Sequence, residues 1–106
     1  MKNNQNNTIV TKNNDNTMSV DPVISYANAD TQKQEILNAN SGKTGIYRWT
    51  HLISGKSYVG SAIDLSLRLK NYYNLSYLES ETKKNNSMIY RALIKYGYSS
   101  FKLDIL

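Results

Sequence analysis

The stretch Thr44-Gly45-Ile46-Tyr47-Arg48-Trp49, then Lys56-Ser57-Tyr58-Val59-Gly60-Ser61-Ala62, then Asp64-Leu65-Ser66-Leu67-Arg68, decides the fold. Ten residues, Arg48 to Ser57, separate the triplets Gly45-Ile46-Tyr47 and Tyr58-Val59-Gly60. Thr44 to Trp49 reads as a strand and Ser57 to Val59 as a second, with turn chemistry at Ser54-Gly55-Lys56. The result is a β-hairpin with a tyrosine on each arm, followed by a helix carrying Arg68. Two phenols and a guanidinium gathered in one place suit a phosphodiester.

Working outward, the helix after the hairpin is expected over about Asp64 to Tyr73. Asp64 can cap it by accepting from an orphan amide of the first turn. Leu65, Leu69, Tyr72 and Tyr73 recur at i, i+4, i+7 and i+8, which defines one face. Arg68 lies at the border of that face, where a side chain backs onto the sheet and still meets solvent. Leu75 to Asn86 reads as a charged connection with at most a helical turn. A second helix spans about Ser87 to Tyr96, with Ile89, Ala92, Leu93 and Tyr96 on one face, Asn86 or Ser87 as cap and Gly97 at its end. Phe101, Leu103 and Ile105 alternate with Lys102, Asp104 and Leu106, giving a third strand.

Upstream of Thr44 the chain changes character. Residues 1–18 are dominated by Asn, Thr, Lys and Gln and cannot bury enough apolar surface to offset the entropy of ordering, so disorder is expected there. Codon bias in an AT-rich genome explains the Asn pairs better than prion-like aggregation. Residues 19–43 read as a linker holding a short helix over Gln32 to Leu37, capped by Asp30 or Thr31. The expected domain is therefore 44–106, ordered strand, strand, helix, helix, strand. It is a small α/β (α+β) module with three mainly antiparallel strands flanked by helices and incomplete at its C-terminus.

These motifs resemble the catalytic module of the GIY-YIG nuclease family, and within it the homing endonucleases encoded by introns of fungal mitochondria. The likeness continues through Asp21-Pro22-Val23 and Asn28-Ala29-Asp30, and downstream through Tyr90-Arg91-Ala92-Leu93 and Lys95-Tyr96-Gly97-Tyr98. It covers roughly residues 21–106. The resemblance implies Mg²⁺-assisted hydrolysis of DNA by Tyr47, Tyr58 and Arg68. Tyr47 is the candidate for activating water and Tyr58 for positioning water or phosphate, although which tyrosine is the base stays open. A phenol of ordinary pKa, near ~10, needs a neighbouring cation to act as a base at neutral pH. Arg68 can hold two nonbridging phosphate oxygens at once.

Lys56 is a candidate electrostatic helper, and Tyr72 occupies a position one turn after the arginine where some members carry histidine. Gly45 and Gly60 are expected to serve close backbone approach. The metal-binding glutamate of the family is expected just beyond the third strand, so no metal ligand is assigned among Asp64, Glu79, Glu81 and Asp104. This chain alone is therefore expected to cleave DNA poorly. The alternatives are a catalytically inactive nucleic-acid-binding or splicing-assisting remnant and a repair-type nuclease of the same family.

Charge and composition agree with a DNA partner. The excess of +5 lies entirely in residues 44–106, because four lysines balance four acids in residues 1–43. Lys70, Arg91 and Lys95 are the leading phosphate contacts, with Lys83, Lys84 and Lys102 behind them. The chain has no cysteine, so no disulfide, thiolate nucleophile or Cys-based zinc site, and its single histidine, His51, cannot build a metal site alone. No apolar run is long enough to span a membrane, and neither a secretory signal nor an Arg-rich transit peptide is evident. A monomer made inside the mitochondrion is the expectation that the resemblance adds.

Overall fold

A computed structural model describes residues 22–106. In chain order its elements are β1 (Ile24–Tyr26), α1 (Lys33–Ala39), β2 (Gly45–His51), β3 (Ser57–Ala62), α2 (Leu65–Tyr72), α3 (Leu75–Lys84), α4 (Met88–Tyr96), a 3₁₀ turn (Tyr98–Ser100) and β4 (Phe101–Ile105). The four strands form one antiparallel sheet in the order β1-β4-β2-β3. Residues 1–18, expected to be disordered, lie outside the described residues.

The hairpin of β2 and β3 forms for the reasons its sequence suggests. Gly55 takes φ +77° in the turn, a conformation that costs glycine little. Pairing runs from Gly45 opposite Ala62 to Thr50 opposite Ser57, so both strands are longer than the sequence indicated. Asp64 caps α2 by accepting from the Leu67 amide at 3.2 Å. Ser87 caps α4, and Gly97 ends it at φ +82°.

Alternation along the strands divides the sheet into two faces. Tyr47, Trp49 and His51 of β2 are buried, as are Phe101, Leu103 and Ile105 of β4. Onto this face pack Ile36 and Leu37 of α1, Leu65, Leu69 and Tyr72 of α2, Leu78 of α3, and Tyr90 and Leu93 of α4. Each such side chain contributes about 1.5–3 kcal/mol by leaving water. On the opposite face Ile46, Ser57, Val59 and Ser61 are exposed. Arg48 and Asp104 share that second face across the β2–β4 pair.

Three expectations need correction. The sheet has four strands rather than three, because Ile24-Ser25-Tyr26 adds an edge strand to β4. The chain from Leu75 is a ten-residue helix rather than a connection, capped by the Asn74 side chain on the Tyr77 amide at 3.0 Å. The short upstream helix begins at Lys33, and Asp30 and Thr31 do not cap it. Their amides instead donate to the Asn28 side chain, at 2.9 and 3.1 Å. The segment read as a linker thus supplies a strand, a helix and the buried Tyr26, Ala29, Ile36 and Leu37.

Candidate active site

The site grows from the register of the hairpin. Tyr47 lies directly opposite Gly60, and Trp49 opposite Tyr58, so both motif tyrosines rise from the helix-covered face. The Tyr47 ring lies across the Gly60 backbone: a Cβ at position 60 would stand 2.6 Å from Tyr47 Cζ. The glycine of the second triplet is therefore the space that the tyrosine of the first occupies. At Gly45 a Cβ would meet only Leu65 Cδ1, at 3.0 Å, which a flexible side chain can relieve.

From α2, Tyr72 reaches down to Tyr47. Their hydroxyls are 2.9 Å apart in a buried hydrogen bond, and the rings meet edge to face at 5.6 Å. Burial first, and then the neighbouring Tyr47, push the Tyr72 phenol far above its ordinary range. Tyr72 therefore stays protonated and can donate to the Tyr47 oxygen.

Arg68, one turn before Tyr72, is fixed from two sides. Its guanidinium carbon sits 4.8 Å from the centre of the Tyr72 ring, and its Nη2 donates to the Tyr90 hydroxyl at 3.1 Å. Burial pulls its pKa down, but the phenols of Tyr72, Tyr90 and Tyr47 more than offset this and carry it upward. The side chain is half-buried, carries its charge at every working pH, and has no carboxylate partner among the described residues. Four of its five N–H donors remain for another ligand.

The expected residues do not all converge. Tyr47, Tyr72, Arg68 and Gly60 form one cluster. Tyr58 is half-buried against the same core, and its hydroxyl bonds none of them. Lys56 is exposed at the turn, where its carbonyl accepts from the His51 amide at 2.9 Å. Lys70 faces α1 across α2, whereas Arg91 and Lys95 line a separate groove of about 620 Å³ between α3 and α4. Tyr90 was given no role by the sequence. It reaches Arg68 because Ser87 fixes the first turn of α4, accepting from the Tyr90 amide at 3.3 Å, and its ring lies 5.5 Å from Tyr72.

Three of the four carboxylates considered are committed elsewhere, and Glu79 lines the groove between α3 and α4. Asp64 caps α2 and also accepts from the Gly42 amide at 3.3 Å. Asp104 is fully buried and bonded by Arg48 and Ser25. Glu81 pairs with Lys84 at 3.5 Å. Among the described residues no group of three His, Cys, Asp or Glu side chains is placed to hold a metal ion, so they do not by themselves fit one. No helix among them is long and apolar enough to cross a membrane.

The chain belongs to the GIY-YIG catalytic domain family, whose model matches residues 43–106. It is 36% identical over 59 residues to a probable intron-encoded endonuclease 1 of Neurospora crassa, a match covering 56% of this chain. The chain thus spans about a sixth of that relative, since the match covers 17% of it. No solved structure matches the chain.

Proposed function

We propose that residues 43–106 form the catalytic module of an intron-encoded endonuclease that hydrolyses DNA phosphodiester bonds. The observation that carries this reading is Arg68, held beside Tyr47 by the Tyr72 ring and the Tyr90 hydroxyl and paired with no carboxylate among the described residues. A charge that the fold leaves unneutralised is matched to a phosphate oxygen. In hydrolysis the water oxygen forms a new bond to phosphorus while one P–O ester bond breaks. Arg68 stabilises the charge that develops on the nonbridging oxygens. Tyr47, whose oxygen is hydrogen-bonded to Tyr72, is the group to which the proton of water passes once Tyr47 has given up its own proton, and the departing ester oxygen takes a proton from solvent.

Divalent-metal use, a role in intron mobility and a mitochondrial location belong to the same reading. Their support is the family match and the name of the fungal relative. Among the described residues no three His, Cys, Asp or Glu side chains are grouped to hold such an ion.

Because this chain alone is expected to nick slowly, the test is single-turnover nicking of supercoiled DNA with protein in excess, across a series of divalent cations, with Tyr47→Phe as the comparison. Nicking that falls at least about a hundredfold in Tyr47→Phe, with its fold intact, supports the reading. DNA binding with no nicking under any cation favours the binding-remnant alternative. Full activity in Tyr47→Phe would overturn the role of Tyr47.

A further inference from the structure

On α2, Arg68 and Tyr72 share one flank and Ser66, Lys70 and Tyr73 another, because residues at i, i+4 and i+7 align. The second flank faces α1 across a cleft of about 680 Å³. The chemistry of this cleft is cationic and donor-rich. Lys33 and Lys70 line it from the two helices, together with the amides of Gln34 and Asn38 and the hydroxyls of Ser41 and Ser66. The Gln34 amide donates to Asn38 Oδ1 at 3.0 Å, which leaves the Asn38 NH₂ as a donor into the cleft. Lys33 Nζ rides 5.4 Å above the centre of the Tyr73 ring.

Among the described residues no carboxylate lines the cleft, and the nearest to act on it is Asp30, whose charge is felt by the Tyr73 phenol. Glu35 accepts from Gln32 at 3.4 Å, and Asp64 is occupied as the cap of α2. The Tyr73 hydroxyl donates to the Ala29 carbonyl at 2.6 Å, and burial keeps that phenol neutral, so it adds no negative charge. Two ammonium groups with several uncharged donors, on two helices and with no carboxylate in the lining, suit a chain of phosphates better than a metal, an acidless apolar ligand or a basic peptide.

We propose that the α1–α2 cleft seats the sugar-phosphate backbone of DNA, as a second contact separate from the Arg68 cluster. Its substrate class rests on the nuclease reading above. Most of the α1 side of the cleft precedes residue 43, so this contact lies largely outside the matched family module. It gives the module a way to hold DNA that does not use the reacting groups. α2 then works on both flanks, with Arg68 at the reacting phosphate and Lys70 at another.

The experiment is fluorescence anisotropy of the full chain on duplex DNA over a range of salt, with nicking measured in parallel. Lys33→Gln/Lys70→Gln keeps the aliphatic stems while removing both charges, and Lys2→Gln/Lys12→Gln removes two charges from positions given no role in binding. Circular dichroism confirms that both variants are folded. The salt slope should fall by about two for the cleft pair, since each phosphate contact adds about 0.9, and by much less for the other pair. Affinity should drop roughly tenfold or more at moderate salt, with KM raised and kcat retained. A wild-type slope in the cleft pair, or equal loss in both pairs, overturns the cleft while the nuclease reading stands. A wild-type chain that binds no DNA overturns both.

Discussion

Arg48 and Arg68 are the same side chain put to two different uses. Arg48 stands on β2, and its Nε and Nη2 donate to Asp104 Oδ2 at 3.2 and 2.8 Å. Asp104 Oδ1 accepts from Ser25 at 2.6 Å, so one buried carboxylate ties β1, β2 and β4 together. Arg68 stands on α2 between the Tyr72 ring, whose phenol burial keeps protonated, and the Tyr90 hydroxyl. A guanidinium neutralised inside the fold serves the fold. One surrounded by neutral donors and rings keeps its charge for a ligand. On the proposed reading the two sheet faces divide the work: one holds the strands in register and the other is to carry the chemistry.

The comparison can be broken most severely at Asp104. Asp104→Ala leaves Arg48 without its buried carboxylate and should cost about 3–5 kcal/mol of stability. Urea denaturation measures this, and a loss below ~1 kcal/mol would mean the ion pair does not hold the sheet. Next is Gly60→Ala, whose Cβ would press on the Tyr47 ring. About 1–3 kcal/mol of destabilisation is expected, accompanied by reduced nicking because Tyr47 is displaced. Unchanged stability would show that the ring does not need that space.

Smaller effects sharpen the contrast. Tyr90→Phe keeps the ring beside Tyr72 but removes the hydroxyl that receives Arg68 Nη2. Loss of one hydrogen bond to a charged group is worth about 1.5–3 kcal/mol at most, so nicking at saturating DNA should slow about tenfold with KM little changed. A raised KM with unchanged kcat would instead make Tyr90 a binding residue. In base, the helix-covered face should fail first. Tyr98, which donates to the Tyr72 carbonyl at 2.6 Å, is pushed up to about 12 by burial and then by Asp30. Its neutral form is favoured by folding, so its contribution is intact below pH 10 and is lost as pH rises towards 12. Tyrosinate absorbance followed against circular dichroism checks this; phenols that ionise at their ordinary pKa before any unfolding would contradict it.

The hairpin and both capped helices were legible because local chemistry decides them. The alternation of Tyr47 and Trp49, the turn at Gly55, the cap at Asp64 and the helix end at Gly97 each act within a few residues. β1 was not legible, since only Tyr26 of its three residues is buried and its pairing depends on β4, far along the chain. α3 hid for a related reason. Its one fully buried residue, Leu78, gives no helical period, and α3 is held by its Asn74 cap and by packing on α4. Within the cluster, Tyr47, Tyr72 and Arg68 were singled out by the family resemblance of their motifs. Tyr90 was given no role, because one of nine tyrosines carries no local mark of the arginine it meets across two helices. Lys56 looked close to the tyrosines in sequence, yet the strand carries its side chain towards the turn.

The division between the two arginines is tested most directly by measuring melting temperature and DNA-nicking rate together in Arg68→Ala and Arg48→Ala. Arg68→Ala should lose at least about a thousandfold in rate, in the range of a lost transition-state charge contact, while melting within a few degrees of the wild type. Arg48→Ala should melt far lower, yet nick at close to the wild-type rate at temperatures where it remains folded. The opposite pattern, with Arg68→Ala active and unstable and Arg48→Ala stable and inactive, would contradict the assignment of chemistry to the helix-covered face.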